Sequence, residues 1–272
     1  MKSLAEHLQV RGSRVRLADW NPRSTPDCDD KEKAVERLAK NLARIDDLQY
    51  RLSAEARQSL LIVLQGMDSS GKDGLIRKVM TAFNAQGCRV WPFKVPTAVE
   101  ASHDFLWRIH RAAPPVGEVA IFNRSHYEDV LVVRVHDLVP RRVWSRRYEA
   151  INEFERLLQE RGTRVLKFFL HISREEQRER LLARLDHPLK RWKFNDADLV
   201  ERAHWRRYQR AYEEALARCS PASAPWYVIP ADRKWYRDFA VSQIVADELD
   251  RMNPRMPKAR LAVKKLRARL AR

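Results

Sequence analysis

The feature that most restricts this chain is a nine-residue stretch, Gly66-Met67-Asp68-Ser69-Ser70-Gly71-Lys72-Asp73-Gly74, lying between two apolar segments of different character. Before it runs LLIVLQ, residues 60–65, a continuous apolar run of strand length. Parallel strands covered on both faces read this way. After it comes LIRKVMTAF, which reads as a helix. The stretch fits G-x-x-x-x-G-K in the strand–loop–helix context that this phosphate-binding motif requires. Three of the seven glycines of the chain fall inside these nine residues. Gly66 and Gly71 permit torsions that turn successive N–H groups inward, and Ser69 and Ser70 add hydroxyls. The following helix start contributes partial positive charge and Lys72 a full one.

Two carboxylates complicate this cradle. Where Ser or Thr usually follows the lysine and holds Mg²⁺, this chain has Asp73; Asp68 lies within the loop itself. Carboxylates facing a phosphate chain repel it unless a divalent cation stands between them, and Mg²⁺ (or Mn²⁺) suits that place. Asp68 either holds the metal or orients the attacking phosphate oxygen. Asp73 reads as a phosphate-site residue or, by preference, as a plain first-turn carboxylate.

Around the loop, strand and helix patterns alternate. A charged helix is expected from Asp30 to about Glu55, then strands at Cys88–Val95, Glu118–Phe122, Arg164–Ile172 and Trp226–Ile229. Helices are expected around Ser102–Ala112, Arg141–Glu160, Arg174–Leu185, Asp198–Arg218 and Asp232–Met252. This alternation implies an α/β fold, a parallel sheet with helices on both faces. The organisation that follows is an irregular arm over residues 1–29, one domain over 30–252, and a basic tail over 253–272.

The second candidate segment is Asn123-Arg124-Ser125-His126-Tyr127-Glu128-Asp129, at the carboxyl end of the third expected strand, where ligands of parallel sheets bind. Arg124 is placed to grip a phosphate. Asn123 and Glu128 are candidates for nucleotide contact, and Glu128 and Asp129 for metal; Asp129 is also a candidate catalytic group. Arg134 interrupts the run VLVVRVH and is either a phosphate ligand or a structural ion-pair partner. A helical lid is expected over about residues 174–197, carrying Arg178, Arg184, Lys190, Arg191 and Lys193 as phosphate-binding cations, because kinase lids exclude water from the transferring group.

The net charge of +17 concentrates polyanions. Charge alone separates nucleic acid, anionic membrane and polyphosphorylated ligands poorly, but no nucleic-acid module and no membrane-length apolar stretch is read in the sequence. Three cysteines without CxxC spacing point to neither disulfides nor zinc, and the N-terminus reads as carrying no secretory signal. A cytoplasmic protein is expected.

Taken together, VLQGMDSSGKDG, GEVAIFNRSHYEDVLVVRVHDLVP, LKFFLHISREEQRERLLARLDHPLKRWKF and APWYVIPADRKWYR resemble the type-2 polyphosphate kinase family. The resemblance covers about residues 60–245. It implies a thymidylate-kinase-like P-loop fold with a helical lid, Mg²⁺ dependence, a homo-oligomer, and reversible phosphoryl transfer between inorganic polyphosphate and adenine or guanine nucleotides. By position Asp68 resembles the family's reaction-centre aspartate, Lys72 its phosphate-binding lysine, Arg124 its second-motif arginine and Arg184 a lid arginine. Asn123 stands where other branches carry Asp, and Glu128-Asp129 where the ADP-specific branch carries Asn-Arg. The NRSHYED form implies the class III branch, which accepts AMP as well as ADP. The rival readings are an ATP-dependent nucleotide or small-molecule kinase, and a nucleic-acid-binding P-loop ATPase.

Overall fold

The computed structural model describes residues 3–258 and 261–271. In chain order the helices are α1 (Leu4–Leu8), α2 (Lys31–Glu55), α3 (Lys72–Lys78), α4 (Ala98–Ala101), α5 (Trp107–His110), α6 (Val132–Val135) and α7 (Arg141–Glu160). They continue with α8 (Arg174–Asp186), α9 (Ala197–Ala203), α10 (Trp205–Arg218), α11 (Lys234–Met252) and α12 (Val263–Leu270). The strands are β1 (Ser59–Gln65), β2 (Cys88–Pro92), β3 (Val119–Asn123), β4 (Thr163–His171) and β5 (Trp226–Pro230).

All strand pairs are parallel, in the order β2-β3-β1-β4-β5. The apolar run 60–65 is therefore the central strand, and every residue of β1 is buried. Its side chains alternate between two cores, as strand geometry demands. Leu60, Ile62 and Leu64 join Leu38, Ile45 and Leu52 of α2 and Phe239 and Val245 of α11. Leu61 and Val63 face Tyr148, Ile151 and Phe154 of α7 and Tyr208 and Tyr212 of α10. With β3 and β4 on either side of β1, the order reverses there, so the carboxyl end of β1 opens into a crevice.

Several expectations are corrected. The helix expected around Ser102–Ala112 is two single turns, α4 and α5, separated by a bend; Pro96, Pro114 and Pro115 bracket the segment. The helix after the loop stops at Lys78 and tightens into a 3-10 turn at Met80–Ala82. The span Asp198–Arg218 is broken at His204 into α9 and α10. The first 29 residues, read as an irregular arm, carry a capped helix, α1, whose Leu4 and Leu8 are buried in the core. Val10 N donates to Trp226 O, so this segment covers the outer edge of β5. The periodicity of α1 is too short to register as a helix in sequence. The tail contains α12, whose Leu266 and Leu270 are exposed. Among the described residues no helix is long and apolar enough to cross a membrane.

Candidate active site

The loop between β1 and α3 owes its shape to three residues with left-handed or extended-positive torsions: Gly66 at φ 155°, Ser69 at 65° and Gly71 at 103°. At Gly66 a Cβ would lie 2.6 Å from Ser70 Oγ and 2.8 Å from Leu170 O, so the glycine is required by contact as well as by torsion. Lys72 opens α3 and folds back over the loop: its Nζ donates to Gly66 O at 2.6 Å and to Met67 O at 3.3 Å. Burial, reinforced by the nearby Arg124, pulls its ammonium down to about 8. Among the described residues the hydroxyls of Ser69 and Ser70 are buried without a hydrogen-bond partner. Unpartnered buried hydroxyls within a glycine loop are groups that an anion can satisfy.

The loop is held from outside by α8. Arg180 Nη1 donates to Ser69 O and Ser70 O, both at 3.0 Å, while Nη2 donates to Ala231 O at 2.6 Å and Asp232 O at 3.0 Å. Gln177 Nε2 donates to Asp68 O at 2.9 Å. Arg237 of α11, only 3% exposed, lies so close under Gly71 that a Cβ there would sit 1.9 Å from its Nη1. Neither Arg180 nor Arg237 was singled out as a site residue from sequence. Arg180 shares a helix face with Arg184, which was a usable signal; Arg237 had none.

The second segment leaves β3 at Asn123, whose Nδ2 donates to Asp73 Oδ1 at 2.9 Å. Asp73 thus acts as a partner for the neighbouring strand end. Arg124 follows at φ 64°, and this turn aims its guanidinium at the loop: Nη2 reaches Asp68 Oδ1 at 2.8 Å and Nη1 reaches Glu128 Oε2 at 3.4 Å. Glu128, against the opposing effect of burial and together with Asp68, holds Arg124 protonated beyond the ordinary guanidinium range. Gln65 Nε2, at the end of β1, donates to Ser125 Oγ at 3.2 Å and Glu128 Oε1 at 3.0 Å. The two motifs are therefore wired together directly.

Not all expected residues converge. Asp129 lines the cleft but is paired with Arg147, whose Nη1 donates to its Oδ1 at 2.9 Å, and burial pushes its carboxyl up to about 6 despite that partner. Among the described residues no three His, Cys, Asp or Glu side chains group closely enough to hold a metal ion, so the expected set Asp68, Glu128 and Asp129 is not assembled. Arg134 is a structural partner: it donates to Glu214 Oε2 at 2.6 Å and stacks over Trp144 at 4.5 Å, away from the cleft. Arg178 is exposed and does not line the cleft. Arg191 also stays outside it and donates to Leu185 O at 2.7 Å, closing the end of α8. The Lys193 side chain lies outside the described residues. Arg184 and Lys190 do line the cleft, and Arg184 pairs with Asp198 at 3.5 Å.

The resulting cleft is about 1120 Å³, bounded by the loop, the second segment, the stretch Pro92–Pro96 after β2, and α8 with the turn that follows it. Ten Lys and Arg side chains line it against five Asp and Glu. Lys94, Arg77, Arg108 and Lys234 belong to that lining and were not foreseen, since each lies on a different element.

A five-stranded parallel sheet with this loop at its switch point, a lysine-opened helix and a helical cover define a P-loop kinase. The comparisons with known proteins narrow this class. The polyphosphate kinase 2 (PPK2) family model matches residues 28–257. The chain is 52% identical over 236 residues to the AMP/ADP-polyphosphate phosphotransferase of Meiothermus ruber, covering 87% of this chain and 88% of the relative. It is 43% identical over 278 residues to the ADP-polyphosphate phosphotransferase of Rhodopseudomonas palustris, covering 97% and 96%. The crystal structure of polyphosphate kinase 2 from Arthrobacter aurescens TC1 superposes with a TM-score of 0.96 at 45% identity, covering 99% of this chain and 97% of that one. The chain belongs to the polyphosphate kinase 2 family.

Proposed function

We propose that this protein transfers phosphoryl groups reversibly between inorganic polyphosphate and AMP or ADP, with Mg²⁺ as its metal. The observation that carries this reading is the cleft: ten cations facing a phosphate loop within a family whose similar members are named for that chemistry. The lining cations outside the loop, among them Lys94, Arg184, Lys190 and Lys234, come from elements on several sides of the cleft and suit an anion that extends beyond the loop. The similarity to a relative named for both AMP and ADP, and the NRSHYED form of the second segment, favour both acceptors.

The chemistry follows from charge. Phosphoryl transfer has a loose transition state with charge spread over equatorial oxygens, so positioning and electrostatics carry catalysis. The terminal phosphate rests in the loop, where Ser69 and Ser70 gain their missing partners. Lys72 exchanges its contacts with Gly66 O and Met67 O for phosphate oxygens. Arg124, held beside the loop by Asp68, stabilises the transferring group. The nucleotide enters past Asn123 and Glu128. Asp68 and Glu128 offer hard oxygens beside the cradle and fit an ion that takes one or two carboxylates and fills its shell with phosphate and water. Bound there, Mg²⁺ would screen the carboxylates from the phosphates. Arg184 and Lys190 lie along the chain's path on the covering side.

The experiment is a donor and acceptor screen. Purified protein is incubated with long-chain polyphosphate and Mg²⁺, with AMP, ADP, GMP and GDP supplied separately, and products are resolved chromatographically. ATP formed from ADP, and ADP from AMP, is the expected result. Activity with ATP and an organic acceptor, and none with polyphosphate, would overturn the proposal.

A further inference from the structure

The second segment is braced from behind by a charged network that has no contact with the cleft. Glu155 of α7 and Lys167 of β4 form an ion pair whose side chains are 1% and 0% exposed. Glu155 Oε1 also receives Tyr127 OH at 2.9 Å and faces His126 Nε2 at 3.2 Å. Lys167 Nζ donates further to Tyr127 OH at 3.2 Å and to Cys219 O at 2.8 Å. His126 and Tyr127 are fully buried and follow Arg124 by two and three residues.

A buried ion pair is a poor way to stabilise a core. Desolvating both charges costs about as much as their attraction returns, and apolar residues of the same volume often do as well or better. What such a pair supplies is a fixed geometry: a Glu155 carboxylate held by Lys167 on Oε2 and by His126 and Tyr127 on Oε1 restricts the turn it anchors. Burial acts to raise the Glu155 carboxyl, but Lys167 and then His126 outweigh it and keep the group below the ordinary carboxylate range. The His126 imidazole is lowered chiefly by burial, and among the described residues its Nδ1 has no hydrogen-bond partner. The imidazole thus has a single hydrogen-bonded anchor, Glu155.

Arg124 is the residue whose position depends on this anchor. Its φ of 64° is a left-handed torsion that an arginine adopts only when its surroundings impose it. On one side Arg124 N donates to Leu64 O at 3.1 Å; on the other, the Ser125 hydroxyl caps the turn and His126 and Tyr127 are tied to Glu155. We infer that Glu155, together with Lys167, is a positioning residue for phosphoryl transfer, setting the Arg124 guanidinium against the loop without touching substrate. The inference rests on the reading of Arg124 as a group that stabilises the transferring phosphate.

The test is a double-mutant cycle. Glu155→Gln is made alone and in an Arg124→Ala background, and ADP phosphorylation from polyphosphate is measured alongside thermal melting. Arg124→Ala alone is expected to lower kcat steeply. Glu155→Gln alone should lower kcat roughly 100-fold, the scale of a misplacement near 1 Å, with KM for ADP within about twofold. In the Arg124→Ala background the same substitution should cost less than about twofold more. Equal fold-losses in both backgrounds, or full kcat in a folded Glu155→Gln, would overturn the positioning role. Unchanged kcat in Arg124→Ala alone would instead overturn the reading of Arg124, and with it this inference. Should Glu155→Gln fail to fold, Tyr127→Phe removes a single hydroxyl from the same network and takes its place in the cycle, with the same expected non-additivity and the same overturning result.

Discussion

The sheet side and the covering side of the cleft use the same residue type in opposite ways. Around the phosphate loop four cations are prewired. Lys72 caps two loop carbonyls, Arg124 bridges Asp68 and Glu128, Arg180 spans four carbonyls, and Arg237 holds Asp238 at 2.6 Å. On the covering side, Lys190 is exposed and Arg184 has one partner, Asp198 at 3.5 Å. Apolar Leu185 and Leu189 there are also exposed, at 40% and 81%. The difference separates two tasks. Charges that must meet the transition state are fixed beforehand, which removes reorganisation from the reaction. Charges that attract and follow a flexible polyanion are left long-armed and hydrated, and contribute less each.

This contrast can be broken at its strongest point first. Lys72→Ala should lower kcat by about 10³-fold, the scale seen when one preorganised charge is removed from a developing anion, with melting little changed. A loss below tenfold would place the phosphate elsewhere. Next, Arg180→Ala leaves buried loop carbonyls without donors, at a cost of about 2–4 kcal/mol in stability on the scale of unsatisfied buried groups. It should also lower kcat about 100-fold through loop displacement. Urea unfolding and steady-state rates read both, and a variant that loses only stability would confine Arg180 to structure.

The Lys72 ammonium supplies the pH test. Its pKa is lowered to about 8 by burial, so the charge is present below that pH and lost above it. For free enzyme, kcat/KM is therefore flat below pH 8 and falls roughly tenfold per unit above it. Lys72→Arg should abolish that alkaline limb whatever its absolute rate. On the covering side, Lys190→Ala and Arg184→Ala should each raise KM for long-chain polyphosphate about three- to tenfold, with kcat nearly unchanged. That effect should shrink as salt rises from 50 to about 300 mM, because exposed charges are screened. A kcat loss as large as that of Lys72→Ala would erase the distinction between the two sides. The smallest effects sharpen the boundary: Arg178→Ala should leave kcat and KM within about twofold, while Arg134→Ala should lose about 1–2 kcal/mol of stability with kcat intact.

Much of the fold was legible because its signals are local. The apolar run of β1, the periodic α2 and α7, and the glycine loop are each contained within a window of the chain, and Arg141–Glu160 matches its expected bounds. The segment between β2 and β3 was misread because its short turns carry no period. Site residues divided similarly. Asp68, Lys72 and Arg124 lie within motifs, and the structure brings them together. Arg237, Lys94 and Arg108 reach the cleft from three separate elements, and no spacing could have joined them; only Arg180, four residues from Arg184, carried a signal. Arg134 and Arg178 carry the right charge, and only packing shows that they face elsewhere.

By itself the sequence determined the phosphate loop, the parallel sheet that must carry it, and the excess of positive charge that selects a polyanion. These depend on backbone torsion, side-chain period and net charge, which are properties of neighbouring residues. The tertiary structure decided which of the many cations serve the cleft, that Asp129 belongs to Arg147, and that a buried Glu155–Lys167 pair stands behind Arg124. Those outcomes depend on contacts between residues far apart in the chain, and a hydrogen bond or an ion pair exists only once the fold has placed both partners within about 3 Å.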